Sequence, residues 1–313
     1  MADPEYPLIL KATWYYYMEN YTQQQISQLL GISRAKVIRL LDEARNQSVI
    51  QFIFRQEDAE RMDVERNLIT TFGLDDAFVV PTPIAASDLR DSVARAAAMY
   101  LSDHLRADGF LNIGYGDTMG LVLNHLASTR KSTLNVVSLT GGVSYYLPKI
   151  SSEIFRMKLF LIPTPLMVSS HELRESLMSE PSVQDIYRMT TFADMSVVGI
   201  GATEDNATVL RNAILSKNEL ALLKMQGAVG DVLDHFFDKD GKPVNSAIEN
   251  RIISTGLDHL KEMKNVVGVA AGPEKVESIF ATLKSGYLNV LITDSRTAQS
   301  LLDHASDDEG GSS

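Results

Sequence analysis

The chain has no cysteine, no apolar run of membrane-spanning length and no surplus of positive charge. Each absence excludes something. Without cysteine there are no disulfides, thiolate zinc sites or cysteine nucleophiles, which is consistent with a reducing compartment. A spanning helix needs about 18–20 consecutive apolar residues, and no stretch is that long. Met1 to Tyr6 lack the basic start and apolar stretch of a signal peptide. The expectation is a cytoplasmic protein with no membrane partner. With 29 basic against 40 acidic side chains and a net charge of −11, bulk charge does not drive the chain onto nucleic acid or anionic lipid.

Residues that usually carry catalysis are also thinly spread. The six histidines (His104, His125, His171, His235, His259 and His304) form no HxH or HExxH pattern, so no metal site is expected. No GxSxG nucleophile elbow occurs.

What is present is a 313-residue chain with 45% hydrophobic and 22% charged residues. That is enough for about two domains at roughly 100–200 residues each. Charge divides unevenly between them. Residues 1–50 hold five basic and five acidic side chains, leaving 24 and 35 for the rest. Four of those five basics (Arg34, Lys36, Arg39 and Arg45) crowd into twelve positions. The periodicity predicts helices over 7–20, 22–30 and 33–46, then a strand over 49–54. A charged amphipathic helix is expected to start near residue 56 and act as a linker to about 72. The expected boundary separates a domain of residues 1–55 from one of residues 56–313.

Beyond the boundary, strands and helices alternate. Strands are expected at 77–80, 110–114, 134–139, 159–162, 195–200, 266–270 and 288–293, and helices at 87–105, 274–285 and 295–304. Short, doubly apolar strands separated by helices imply a mainly parallel sheet covered on both faces. The tail, residues 306–313, is expected to fray.

Residues 22–41 fit two short helices crossing at a tight turn. Thr22 caps the first, which opens at Gln23, both residues also being expected at the DNA, and Ser33 caps the second. Gly31 supplies the positive φ of the turn. Ile26, Leu30, Ile32, Val37 and Leu40 turn inward. The second helix then presents Ser33, Arg34, Ala35, Lys36 and Arg39 outward, as a helix-turn-helix presents its recognition helix to the major groove. Arg34 suits a bidentate guanine contact, while Lys36 and Arg39 suit phosphates. The alternative is an ordinary helical hairpin with a basic face. Of the aromatics at 14–17, Trp14 and Tyr17 are expected in the core of the small domain, rather than stacking on bases.

These residues carry a resemblance. The segment YTQQQISQLLGISRAKVIRLLDEA (21–44) is similar to the N-terminus of the SorC family of bacterial transcriptional regulators. So, in order, are NIGYGDTM (112–119), SLTGGV (138–143), VVGIGA (197–202), GAVGDVLDHFFDKDG (227–241) and SGYLNVLITD (285–294).

The glycine pair of the 114–118 turn lies where a strand opens a helix, a place that favours an anion. A dinucleotide fingerprint does not fit, because the third glycine comes one residue late and no acidic residue ends the next strand. No cofactor is therefore expected. Glycine turns needed only for chain reversal remain the alternative reading. Asp231 is read as a carboxylate just before an apolar helix, where a cap or helix-dipole role competes with binding. Lys275, at the start of a helix, competes with a plain surface reading.

The resemblance implies an α/β fold: an N-terminal winged helix-turn-helix domain plus a Rossmann-like, sugar-phosphate-isomerase-like effector domain. It implies that Gly116, Asp117, Thr118, Gly141 and Gly142 line the effector pocket. It further implies that Asp231 accepts polyol hydroxyls and Lys275 neutralises a phosphate. Isomerases of this fold carry an acidic motif after a central strand, whereas Val197–Ala202 offers no base for proton transfer. The expected function is a non-enzymatic regulator of a carbohydrate operon. Its partners would be operator DNA, a phosphorylated sugar or polyol, and further copies of itself in a homotetramer. The alternatives are an isomerase-like enzyme with a DNA-binding head and a ligand-independent DNA-binding protein.

Overall fold

The computed structural model describes residues 5–52, 55–130, 132–142, 157–205, 207–244 and 247–310. The chain divides into two compact units between Ala59 and Glu60, inside helix α4 (Gln56–Phe72).

The first unit packs α1 (Tyr6–Tyr17), α2 (Gln23–Leu30) and α3 (Arg34–Asn46) around Ile9, Ala12, Ile26, Val37, Leu40, Leu41 and Ala44. Leu30 and Ile32 lie half-buried against this core. Its local geometry follows from the polar residues at the helix ends. Thr22 and Gln25 form a reciprocal capping box, with Gln25 N–H donating to the threonine hydroxyl at 3.3 Å and Thr22 N–H donating to Gln25 Oε1 at 2.8 Å. Gly31 takes φ 65° at the end of α2. The Ser27 hydroxyl closes the turn onto the Ile32 carbonyl at 2.7 Å, and Ser33 caps α3 through Lys36 N–H at 3.2 Å.

Two expectations fail here. No strand forms over residues 49–52, and residues 53–54 lie outside the described residues, so no wing is seen among those described. Val49 N–H instead returns to the Ala44 carbonyl at 2.9 Å and Ser48 N–H to Arg45 at 3.2 Å, with Ser48 at φ 56°. This is a Schellman closure of α3, and the apolar residue it requires is Val49, packed back on the core. Trp14, expected in the core, is 53% exposed. The buried face of α1 runs through Ile9, Ala12 and Thr13, and Trp14 points away to donate to Glu19 at 3.3 Å. Tyr17 is half-buried.

The second unit is built on a parallel sheet in the order β1-β9-β8-β5-β2-β3-β4. Its strands are β1 (Asp76–Val80), β2 (Phe110–Ile113), β3 (Asn135–Ser138), β4 (Lys158–Phe160), β5 (Met195–Ala202), β8 (Val266–Val269) and β9 (Val290–Asp294). All seven coincide with expected strands. Alternate residues feed opposite faces: Leu291 joins the core shared with α4. Val290 and Ile292 join the core under α5 (Leu89–His104) and α6 (Asp117–Thr129). The free edge at β1 is closed by carboxylates. Val79 N–H donates to Glu65 Oε1 of α4 at 2.8 Å, and Ala77 N–H to Asp76 Oδ1 at 2.8 Å. Both amides are thereby denied to a foreign strand.

The segment after Gly227 corrects the expected apolar helix. It forms a hairpin of β6 (Gly230–Val232) and β7 (His235–Phe237), with β6 antiparallel to the end of β5. Leu233 and Asp234 turn it at φ 55° and 64°, the double left-handed geometry of a two-residue hairpin. Part of the tail expected to fray is drawn as helix. The last helix, Ser295–Gly310, continues through it, and residues 311–313 lie outside the described residues.

Candidate functional site

In the first unit, Ser33, Arg34, Ala35 and Arg39 are exposed on α3 and Lys36 is half-buried. Arg34 Nε donates to Gln23 Oε1 at 3.3 Å, so the arginine expected at a base edge is steadied by the first residue of α2. Arg34 also borders a cleft with Tyr16, Tyr17, Tyr21 and Gln24, which brings Tyr17, expected in the core, beside the recognition helix. Lys36 and Arg39 share one counter-ion, Glu5, at 2.9 and 3.4 Å. That carboxylate was not foreseen, because it lies on a different helix edge 31 or more positions away. Thr22 serves as the cap described above.

In the second unit, strand order reverses between β2 and β5. Open α/β sheets bind ligands outside the carboxyl ends of strands at such a switch point. A cavity of about 120 Å³ lies there, between the 115–118 turn after β2, the end of β5, and the β6–β7 hairpin. Gly116, at φ 131°, lets the chain swing from β2 into α6.

Asp117 opens α6, and its Oδ2 accepts from Arg90 Nη1 of α5 at 3.4 Å and from Arg211 Nη2. Arg211 ends α9 (Thr208–Arg211) and also donates to Thr208 Oγ1 at 3.0 Å. Asp231 faces Gly201 across the β5–β6 ladder. Lys275 Nζ donates to the Ile200 carbonyl at 2.7 Å, so it is neither loose nor on the plain surface. Burial pushes the Asp231 carboxyl up to about 6, against the opposing pull of Lys275. Asp234, buried in the hairpin turn, is raised well above the usual carboxylate range by burial and then by Asp231. Lys275 is lowered, first by burial; Asp231 opposes this, and Arg90 and Arg211 add to it. Lys275 therefore feels both arginines across one cavity.

Five of the seven expected effector residues, Gly116, Asp117, Thr118, Asp231 and Lys275, line this cavity. Gly141 and Gly142 are not among the described residues that line it. Gly141 N–H donates to Ile253 at 2.9 Å and Gly142 N–H to Thr164 at 2.7 Å. A Cβ on Gly141 would lie 2.5 Å from the Pro165 carbonyl oxygen. The smallness of Gly141 serves a chain crossing, and Gly142 borders a separate cleft beside Arg251. Sequence reasoning missed Arg90, Arg211, Glu204 and Asp234, all in the cavity wall. Arg90 reads as the solvent side of an amphipathic helix, and Arg211 sits in a four-residue helix with no periodicity to betray it. Glu204 follows the 197–202 block by two residues, so a carboxylate does stand at the end of β5. Among the described residues no group of three or more His, Asp or Glu side chains is placed to hold a metal, and no helix is long and apolar enough to cross a membrane.

A helix-turn-helix and a polar cavity at a sheet switch point, on one chain, define the class of ligand-responsive DNA-binding regulators. Comparison with known proteins agrees. Residues 57–303 match the family described as "Putative sugar-binding domain". The chain is 34% identical over 310 residues to the transcriptional regulator LsrR of Klebsiella pneumoniae subsp. pneumoniae, covering 98% of this chain and 96% of that one. In structure it is similar to the full-length sorbitol operon regulator SorC from Klebsiella pneumoniae. There the TM-score is 0.70 at 23% identity, over 96% of this chain and 100% of that one. It is also similar to a DeoR family transcriptional regulator from Listeria monocytogenes, with TM-score 0.71 at 23% identity, over 77% and 99%. At that identity the two structures speak for the fold alone. The chain belongs to the SorC family of sugar-binding transcriptional regulators.

Proposed function

We propose that this regulator controls a carbohydrate uptake or catabolic operon, and that a phosphorylated sugar or polyol in the second unit sets its affinity for operator DNA. Arg34 reads a base edge, Gln23 orients it, and Lys36 and Arg39 meet phosphates. Asp231 accepts hydroxyl protons from the effector while Lys275 helps to neutralise its phosphate. The observation that carries the reading is the convergence of Arg90, Arg211 and Lys275 with Asp231 on one cavity. Such a lining offers an anion and a polyol their partners together. Because a single head buries little DNA surface, copies of the chain are needed to occupy paired half-sites, and the family resemblance favours a cytoplasmic homotetramer.

A thermal-shift screen of phosphorylated sugars and polyols, each beside its unphosphorylated parent, tests this reading. A ligand at 100 times its Kd adds about 2.7 kcal/mol of stability when it ignores the unfolded chain. A shift confined to phosphorylated compounds supports the reading. A shift with the free sugar alone removes the phosphate from it, and turnover of the sugar phosphate would replace it with an enzyme.

A further inference from the structure

The arrangement around Asp117 goes further than the assignment of a pocket. Asp117 Oδ2 is the shared acceptor of two arginines from different elements, Arg90 of α5 and Arg211 of α9. The exposures are opposed: the Asp117 side chain is 14% exposed, against 50% for Arg90 and 44% for Arg211. The guanidinium groups are thus open to solvent while the carboxylate that neutralises them is largely covered. A phosphate from solvent has both arginines open to it and Asp117 largely covered. It presents the same kind of oxygen with more charge and more acceptor sites, in the bidentate geometry that guanidinium favours. Phosphate and carboxylate cannot both hold the two arginines without like charges in contact.

Building on the effector reading above, we infer that Arg90 and Arg211 are the phosphate-gripping residues of the effector site. Asp117 is their resident counter-ion, which an incoming phosphate must displace. Asp117 on this account is not a ligand for effector hydroxyls. It sets the threshold concentration at which a phosphate monoester is registered. Displacement also releases the first residue of α6 from α5 and α9, so anion capture changes contacts among three elements at once.

The test uses the full-length chain and inorganic phosphate as probe, followed by calorimetry at constant ionic strength with chloride as the control. Asp117→Asn keeps the shape and removes the competing charge. It should tighten inorganic phosphate binding about tenfold, the scale of one charge-assisted hydrogen-bond pair. Arg211→Gln and Arg90→Gln should each weaken it by at least as much. Asp117→Ser guards against an asparagine that still bonds the arginines. If Asp117 serves only as the acidic partner of the α6 dipole, its removal lowers the melting temperature and leaves phosphate affinity where it was; that result overturns the inference. So does weaker binding of sugar phosphates in both Asp117 variants, which would make Asp117 a direct ligand while leaving the effector site intact. Absence of any shift in the wild type with phosphate, sugar phosphates or free sugars would instead remove the effector reading, and the inference with it.

Discussion

Gly201 and Asp231 face each other across β5 and β6 so closely that a Cβ on Gly201 would lie 1.9 Å from Asp231 Oδ1. One position along, a Cβ on Gly230 would lie 2.3 Å from the Cβ of Ser278. The glycines of VVGIGA and GAVGD are therefore space for a carboxylate and for the helix behind it. Gly201→Ala should displace Asp231 from the cavity and cost about 1–3 kcal/mol in stability by overpacking. Effector affinity should fall further than that destabilisation alone explains. Calorimetry on the folded variant, beside its melting curve, separates the two effects.

On the first unit, Glu5 pairs with both Lys36 and Arg39 and so competes with any phosphate they meet. Lys36→Ala should weaken all DNA sequences alike and reduce the salt slope by about 0.9, one phosphate contact. Glu5→Gln should act oppositely and strengthen binding to unrelated duplexes. Arg34→Ala should relax base preference at a single position. Fluorescence anisotropy over a salt series, with operator and random duplexes, distinguishes the three.

How the cavity responds to pH follows from its buried carboxyls. Asp231 is raised to about 6, and Asp234 is also raised well above its ordinary value by burial. A carboxyl whose pKa is higher folded than unfolded makes the native state bind more protons in between. Stability is then greatest below the unfolded value near 4 and declines as pH rises through the folded value. The Asp231 share of this decline should fall between about pH 4 and 6 and be absent in Asp231→Asn. Melting temperatures across that window measure it; an identical profile in the variant would assign the decline elsewhere.

The sheet edge offers a stability test remote from both sites. Glu65 accepts the outward Val79 amide, and burial raises its carboxyl. Glu65→Ala should cost about 1 kcal/mol for the lost bond and expose β1 to strand pairing. Light scattering during refolding should rise relative to the wild type.

Much of this molecule was legible in its sequence where local chemistry decides the structure. Thr22, Gly31 and Ser33 specify both ends of a turn by themselves, and each does in three dimensions what its side chain allows. Strands buried on both faces announce themselves as short apolar runs, and all seven parallel strands did. Readings failed where tertiary placement outweighs local pattern. Val49 and Ile50 are β-branched, yet they close α3 rather than start a strand. The VLDHFF run hid a hairpin because Leu233 and Asp234 lack the glycine or asparagine that usually marks such a turn. Arg90 and Arg211 lie 121 positions apart in sequence and meet only at Asp117, a relationship no spacing rule can encode. Gly141 and Gly142 look like a ligand cradle, but their amides are already engaged by Ile253 and Thr164.

The central claim is that operator and effector are coupled through one protein, and such coupling is reciprocal. The most direct measurement titrates the phosphorylated compound giving the largest thermal shift into the free regulator and into its operator complex. Operator affinity is measured in parallel, with and without that compound. The account predicts that the compound changes operator affinity and that operator changes the compound's affinity by the same factor. Effector affinity indifferent to operator DNA would contradict it.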